Sequence, residues 1–326
     1  MQCPRLKHFV RLNYDGTVSR CGHMVNAPGF ATLEEMDSSE WQKSIASNMD
    51  ANIFPQECRR CNASEQVQQQ SIRQFSLQEH SELSKVKADY LVVGGILDNI
   101  CNSACQSCNA QHSTKIGSLN SSDYYTTNNA EKFWQLPVER IVKLDINGGE
   151  PTASPAYQAL LENLPTNVKE IRVNTNGSRI LPNLDKLIER GVRVTVTVSL
   201  DGIGRVHDYV RWPIKWDAFK KNLQYYASLG NAIDLNTWTT VHALNVGNLK
   251  DIIDYTLDNK IKHAWAFLEA PDVLNVKYSN HFTRTADVPE ELKLYVGSEA
   301  DNTVELQLWT YQQDHLRGIR LWDYYK

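Results

Sequence analysis

Three cysteines, Cys101, Cys105 and Cys108, stand in a C-x3-C-x2-C run directly behind the apolar segment Tyr90 to Ile96. A closed tetrathiolate site takes four thiols, and this run offers three. A [4Fe–4S] cluster held there would keep one iron free of protein ligands and open to a small molecule. A zinc loop, or three unrelated buried cysteines, satisfies the same spacing.

A second strand-like segment ends in Asp145-Ile146-Asn147-Gly148-Gly149-Glu150-Pro151-Thr152. Adjacent glycines let the backbone come close to a ligand, and a carboxylate beside them suits an ammonium group. Alone, such a stretch is an ordinary strand-to-helix turn. One strand after a three-cysteine loop, Gly148, Gly149 and Glu150 become candidates for holding a cofactor.

The other four cysteines are Cys3, Cys21, Cys58 and Cys61. Seven is an odd number, which argues against a pure disulfide framework. It divides into an open three-thiol site and a complete four-thiol site. Asp15-Gly16 is a hairpin turn signal between Phe9–Tyr14 and Thr17–Arg20, and a hairpin there brings Cys3 and Cys21 together. Pro55-Gln56-Glu57-Cys58-Arg59-Arg60-Cys61 adds a C-x2-C pair. Zinc and iron–sulfur are both adequate for four thiols, and spacing does not separate them. Either site requires a reducing compartment.

These residues need elements to position them. A chain of 326 residues, 41% hydrophobic, builds one full domain and a smaller one. Its formal charge is −4, with no long basic run that would advertise a nucleic-acid surface. No apolar run approaches the roughly 20 residues of a membrane span, and the start does not read as a signal peptide. The chain is therefore expected to be cytoplasmic. Segments 90–96, 141–146, 168–174, 193–200, 234–242 and 264–269 read as strands rich in branched and aromatic residues. Between them lie helices with legible ends: Ser154-Pro155 as a start, Gly191 and Gly230 as stops, and Leu249, Ile252, Ile253 and Leu257 at helical spacing. A helix is also expected over Leu33 to Met49. Alternating strands and helices imply an α/β fold with a parallel sheet. Residues 1–75 are expected as a separate small domain, 76–87 as a polar linker, 88–280 as the barrel and 281–326 as a C-terminal extension. A loop over the barrel mouth is expected near 118–129, and a strand then a helix over 305–326.

The three-cysteine loop together with Gly148-Gly149-Glu150-Pro151 resembles the radical S-adenosylmethionine (radical SAM) superfamily. The N-terminal block resembles its twitch module, a shortened SPASM auxiliary-cluster domain. That likeness rests on Asp15-Gly16-Thr17-Val18 before Cys21 and on Pro55…Cys58-x2-Cys61-x3-Glu65…Ser71-Ile72-Arg73. Asp314-His315-Leu316-Arg317-Gly318 resembles the closing motif of the same proteins. Two departures stand out: Gly22 where some relatives carry a further cysteine, and Ser107 where an aromatic residue often contacts adenine.

The resemblance implies a partial (β/α)6 TIM-like barrel preceded by a cysteine-rich twitch domain. It implies a [4Fe–4S] cluster on Cys101, Cys105 and Cys108, with S-adenosylmethionine at the open iron. Gly148, Gly149 and Glu150 would then hold the methionyl amino group. Asn174, at the end of the third strand, is a further cofactor-binding candidate, with a capped turn as its other reading. Ser199 and Asp201 would hold the ribose, and Arg211 would pair with the cofactor carboxylate or make a surface salt bridge. An auxiliary iron–sulfur cluster would take Cys3, Cys21, Cys58 and Cys61. The implied activity is reductive cleavage of the cofactor to a 5′-deoxyadenosyl radical that abstracts hydrogen from a substrate. A peptide side chain leads as substrate, with an oxidative outcome; a nucleobase or nucleoside-like small molecule is the rival. An electron carrier or zinc-stabilised binding module is the non-enzyme reading. A reductant such as flavodoxin or ferredoxin is the implied partner. His242, Trp238, Trp265 and Glu269 lie on the last two strands, where the two tryptophans read as core.

Overall fold

The computed structural model describes residues 1–120, 127–278, 288, 290–293, 296–298 and 302–325. Its centre is one eight-stranded sheet: β1 (Phe9–Leu12), β2 (Val18–Ser19), β3 (Leu91–Ile96), β4 (Ile141–Asn147), β5 (Glu170–Thr175), β6 (Arg193–Ser199), β7 (Asp234–Val241) and β8 (Lys262–Phe267). The strands lie in the order β2-β1-β3-β4-β5-β6-β7-β8. β3 to β8 pair in parallel, each next to its successor. These are the six expected strands, within one or two residues of their expected ends.

Side-chain alternation gives the sheet two faces of different chemistry. Leu144, Ile146, Ile171, Val173, Val194, Val196 and Val198 face the crossover helices and form the main core with Tyr157, Leu160, Leu184, Phe219 and Leu223. The helix Pro155–Glu162 begins on Ser154, whose hydroxyl accepts from Tyr157 N at 2.9 Å. The helices Leu184–Glu189 and Trp216–Ser228 stop before Gly191 and Gly230, both left-handed, at φ +70° and +52°.

The opposite, inner face is polar. Lys143 is 2% exposed and lies 2.7 Å from Glu79 and 2.5 Å from Glu170. Arg172 reaches Glu79 at 3.5 Å and Asp145 at 3.8 Å. Burial by itself would raise the Glu79 carboxyl, but Lys143 and Arg172 hold it below its usual range.

The N-terminal expectation needs correction. Residues 1–75 do not stand apart, because β1 pairs in parallel with β3 and carries β2 as an antiparallel edge. Residues 76–87 are no linker either. Residues 76–86 belong to the helix Ile72–Val86, opened by a capping box between Ser71 and Gln74, and Lys87 is its C-cap. The helix reads as polar because it meets a charged surface: Ser76 and Leu83 are its buried residues, and Glu79 carries the bond to Lys143. The single helix expected over 33–49 is two, Leu33–Ser38 and Glu40–Asp50. They break at Ser39, whose side chain accepts from Gln42 N and caps the second. In the tail, Thr303–Arg317 is one helix and no strand precedes it among the described residues. Residues 121–126 of the expected mouth loop lie outside the described residues. Residues 118–120 end the helix Thr114–Asn120, and Asn128 bridges to Asp98. Among the described residues no helix is long and apolar enough to cross a membrane.

Candidate functional site

The C-terminal ends of β3 to β6 open on one cleft of about 290 Å3. It is lined by Cys101, Cys105, Cys108, Gly148, Gly149, Glu150, Asn174, Ser199 and Arg211, together with Ser103, Ser107, His112, Asn147, Thr175 and Asn176. Parallel barrels carry their sites at this end. Of the candidate residues for the first site, only Asp201 is not on the cleft wall.

The thiol loop is held from several sides. Gly149 N donates to Asp98 O at 3.0 Å, and Glu150 N to Ile100 O at 2.7 Å. Ala104 N and Gln106 N donate to Trp212 O and Val210 O, at 2.7 and 2.9 Å. Arg317 Nε donates to Ala104 O at 2.9 Å. Asp314, in the same motif, accepts from Tyr209 Oη and Leu321 N at 2.8 and 2.6 Å. The C-terminal motif therefore braces the loop that carries Cys105.

The glycine pair is required for a reason the sequence did not show. A Cβ on Gly148 would lie 2.6 Å from Asp98 O, and one on Gly149 would lie 2.4 Å from Ile100 O. The close approach is to the thiol loop itself, the neighbour that excludes any side chain here.

Glu150 is 1% exposed. Its Oε1 accepts from Thr152 N, Thr152 Oγ1 and Thr175 Oγ1 at 3.0, 2.6 and 2.7 Å, and its Oε2 from Asn176 N at 2.6 Å. The carboxylate ties the ends of β4 and β5 together and keeps acceptor capacity on Oε2 alone. Asn176 extends this tie, donating to Asn102 Oδ1 at 2.9 Å and Ser103 Oγ at 3.2 Å. Asn174 is exposed on the cleft wall, whereas Asn176, two residues on, binds the thiol loop.

Asp201 and Arg211 do not act as two separate contacts. Arg211 Nη1 donates to Asp201 Oδ2 at 2.9 Å, and Thr240 N to Asp201 Oδ1 at 2.9 Å. The pair is buried, so the surface salt bridge is ruled out as the setting of Arg211. Burial works against the guanidinium charge, but Cys105 and Asp201 hold its pKa above the usual arginine value. Its Nε is buried without a protein partner among the described residues. Asn245, for which the sequence offered no role, donates to Asp201 O and Thr240 O, each at 3.0 Å, and accepts from His242 N at 2.7 Å. His242 is buried below the cleft, its pKa lowered to about 4 by burial.

Trp238 is not core. It is 41% exposed on the inner face, in register between Ser199 on β6 and Ala264 on β8. Trp265 is half-buried against Phe267, and Glu269 is exposed.

The family model for the radical SAM superfamily matches residues 96–256, from the end of β3 to the helix Leu249–Asp258. That segment is a radical SAM domain. Mycofactocin maturase MftC of Mycobacterium ulcerans (strain Agy99) is 28% identical over 152 residues, 46% of this chain and 40% of that protein. MftC of Mycobacterium tuberculosis (strain ATCC 25618 / H37Rv) is 28% identical over 133 residues, 40% of this chain and 33% of that protein. The match thus spans well under half of either relative. SuiB of Streptococcus suis bound to S-adenosylmethionine aligns at a TM-score of 0.45 and 15% identity, over 84% of this chain and 62% of that one.

The donor set of the radical SAM domain fits the cluster of its family. Ser103 Oγ lies 3.3 Å from Cys101 Sγ and 3.5 Å from Cys105 Sγ. Burial raises the Cys101 thiol and pushes Cys108 up to about 12, and the neighbouring thiols add to both. Thiols that cannot ionise together unaided suit a cationic iron centre that takes them as thiolates.

The four N-terminal thiols also gather, in a cavity lined by Cys3, Cys21, Cys58, Cys61, Arg5, His23 and Arg73. Burial, then neighbouring thiols, pushes Cys3 up to about 11 and Cys58 to about 12. Cys3 is followed by a helical turn, Arg5–His8, that leads into β1. No disulfide is present, and all seven cysteines belong to these two groups. Among the described residues, no three His, Cys, Asp or Glu side chains are grouped to hold a single metal ion.

Proposed function

We propose that the protein is a radical SAM enzyme that removes hydrogen from a peptide side chain. The observation that carries this reading is the convergence of Cys101, Cys105 and Cys108 with Arg211 and Glu150 on one cleft within a radical SAM domain. Cys101, Cys105 and Cys108 would hold the cluster, which would supply the one electron that reductive cleavage of S-adenosylmethionine needs for hydrogen abstraction from substrate. Glu150, whose Oε2 keeps acceptor capacity, would hold the cofactor ammonium, and Arg211, with its Nε unpartnered among the described residues, would pair with the cofactor carboxylate. Asp201 orients Arg211 and is a positioning residue. Ser199 and Asn174 supply polar contacts to the ribose, and Gly148 and Gly149 keep the β4 turn against the thiol loop.

The surroundings of the cleft and the similar proteins support a peptide over the rival nucleobase or nucleoside-like small molecule. The inner face beside the cleft carries Asn174, Thr197, Asn236 and Thr240, neutral hydrogen-bonding groups, around the exposed Trp238. Lys143 and Arg172, on the same face further from the strand ends, are already paired with carboxylates. The similar curated proteins are named as maturases. An oxidative outcome follows from the thiol count, since no cysteine is left to return hydrogen to a substrate radical. The four-thiol site is assigned to a second iron–sulfur cluster in a twitch-like setting, with flavodoxin or ferredoxin as the class of reductant.

Protein reconstituted with iron and sulfide under anaerobic conditions, reduced and given S-adenosylmethionine, should release 5′-deoxyadenosine. The Cys101→Ala/Cys105→Ala/Cys108→Ala variant should release none. Absence of product from cluster-loaded wild type, or its persistence in the triple variant, overturns the reading. Metal analysis tests the second cluster, since about one zinc with a single cluster's worth of iron per chain contradicts it.

A further inference from the structure

The four-thiol site is flanked by two arginines in different electrostatic circumstances. Arg73 is bound by Glu65, at 2.9 Å from Nε with a second contact of 2.5 Å from Nη2, so its charge is matched locally. Arg5 has no carboxylate within ion-pair distance among the described residues; Glu79, across the same cavity, feels its charge but is bound at closer range by Lys143. Its Nη1 lies 3.8 Å from Cys21 Sγ, its Nε donates to Ser76 Oγ at 2.9 Å, and its guanidinium lies over the Phe9 ring at 4.0 Å. The backbone N–H of the same residue faces the Cys3 thiol. Ser76 and Phe9 are both buried, so the guanidinium is held between a helix and the first strand of the sheet, half shielded from water.

We infer that Arg5 is a positioning residue that sets the reduction potential of the second cluster. This rests on the assignment of a cluster to Cys3, Cys21, Cys58 and Cys61. A thiolate-ligated cluster becomes more negative on reduction, and a positive charge fixed beside one ligand sulfur, with no ion pair of its own, stabilises that reduced form. Net charge, hydrogen bonds to sulfur and exposure are the protein's means of tuning such potentials. Arg5 supplies the first two, and Ser76 and Phe9 fix the geometry. A charge fully in water would be screened and do less.

The test is an EPR-monitored redox titration of the full chain carrying the three cleft cysteines as Ala, so that only the second cluster is seen. Iron analysis comes first: no iron in this background refutes the cluster assignment itself and is distinct from failure of the Arg5 inference. With iron present, Arg5→Gln should move the equilibrium about tenfold toward the oxidised form, a fall of about 59 mV for one electron. Arg5→Lys keeps the charge and should retain most of the parent potential. Arg59→Gln removes the same charge from an exposed position and should move it far less. Ser76→Ala frees the guanidinium without removing it, and should shift the potential in the same direction by a smaller amount. It carries the test if Arg5→Gln loses iron. Equal shifts in Arg5→Gln and Arg59→Gln, or no shift in either Arg5→Gln or Ser76→Ala, overturn the inference.

Discussion

Asp201 Oδ2 lies 2.9 Å from Arg211 Nη1, and both side chains are almost sealed from solvent. A buried charge that loses its partner is costly, typically about 3–5 kcal/mol. Asp201→Ala is therefore expected to lower stability by that order while sparing the iron at Cys101, Cys105 and Cys108. Affinity for S-adenosylmethionine should fall with it, because Arg211 is no longer held to the cleft wall. Denaturant unfolding and equilibrium dialysis measure the two effects, and unchanged values in both would contradict this role.

Glu150 gives a different signature. Its four hydrogen bonds come from Thr152 in the turn after β4 and from Thr175 and Asn176 at the end of β5, so Glu150→Gln places an amide NH2 against donors. We expect a loss of about 1.5–3 kcal/mol in stability and weaker cofactor binding. Thr175→Val removes one structural donor to Oε1 and leaves Oε2 untouched. It should lower the melting temperature with little change in a cofactor titration. A large affinity loss in Thr175→Val would show that Oε2 does not act alone.

Gly149→Ala puts a methyl group 2.4 Å from Ile100 O and 2.5 Å from Asn99 O. Backbone must move, and overpacking of this kind costs about 1–3 kcal/mol. The displaced segment leads directly into Cys101, so the first cluster's iron should be lost before the N-terminal cluster's. Iron counts and EPR of the variant check this order.

The Lys143 network predicts an acid limit. The folded Glu79 carboxyl lies below its usual range, so its contribution is fully present above the unfolded pKa, about 4.3. It is lost as pH falls through the lower folded value. Lys143→Met leaves Glu79 and Glu170 without their shared cation. It should cost about 3–5 kcal/mol at neutral pH and flatten the loss of stability below about pH 4. Unfolding midpoints from pH 3 to 7 would reveal a persistent acid slope if the pairing is unimportant.

Much of the frame could be read from residues. Six runs of branched side chains became β3 to β8, and Gly191 and Gly230 ended helices as left-handed stops. Both thiol groups were visible as spacings. What stayed hidden depends on partners distant in sequence. The helix Ile72–Val86 looked like a linker because its buried contacts are Ser76 and an ion pair to Lys143. Alternation puts Asp201 on the same side as Ser199, but it does not show the bond to Arg211, which comes from a later helix end. Arg317 lies more than 200 residues from Ala104, whose carbonyl it binds. Trp238 looked like core because size alone carries no information about which face of an open sheet a residue occupies.

β1 pairs along one edge of β3, residue for residue from Phe9 against Val92 to Leu12 against Gly95. The N-terminal thiol block is thus no detachable cassette to be grafted or trimmed from a minimal barrel. A chain begun at Ala88 would bare the edge of a strand whose far end opens into Cys101. Unpaired edges recruit other chains, so such a truncation should collect in the insoluble fraction. The better partition for engineering keeps residues 1–75 with the barrel and treats the two thiol sites as ends of a single sheet.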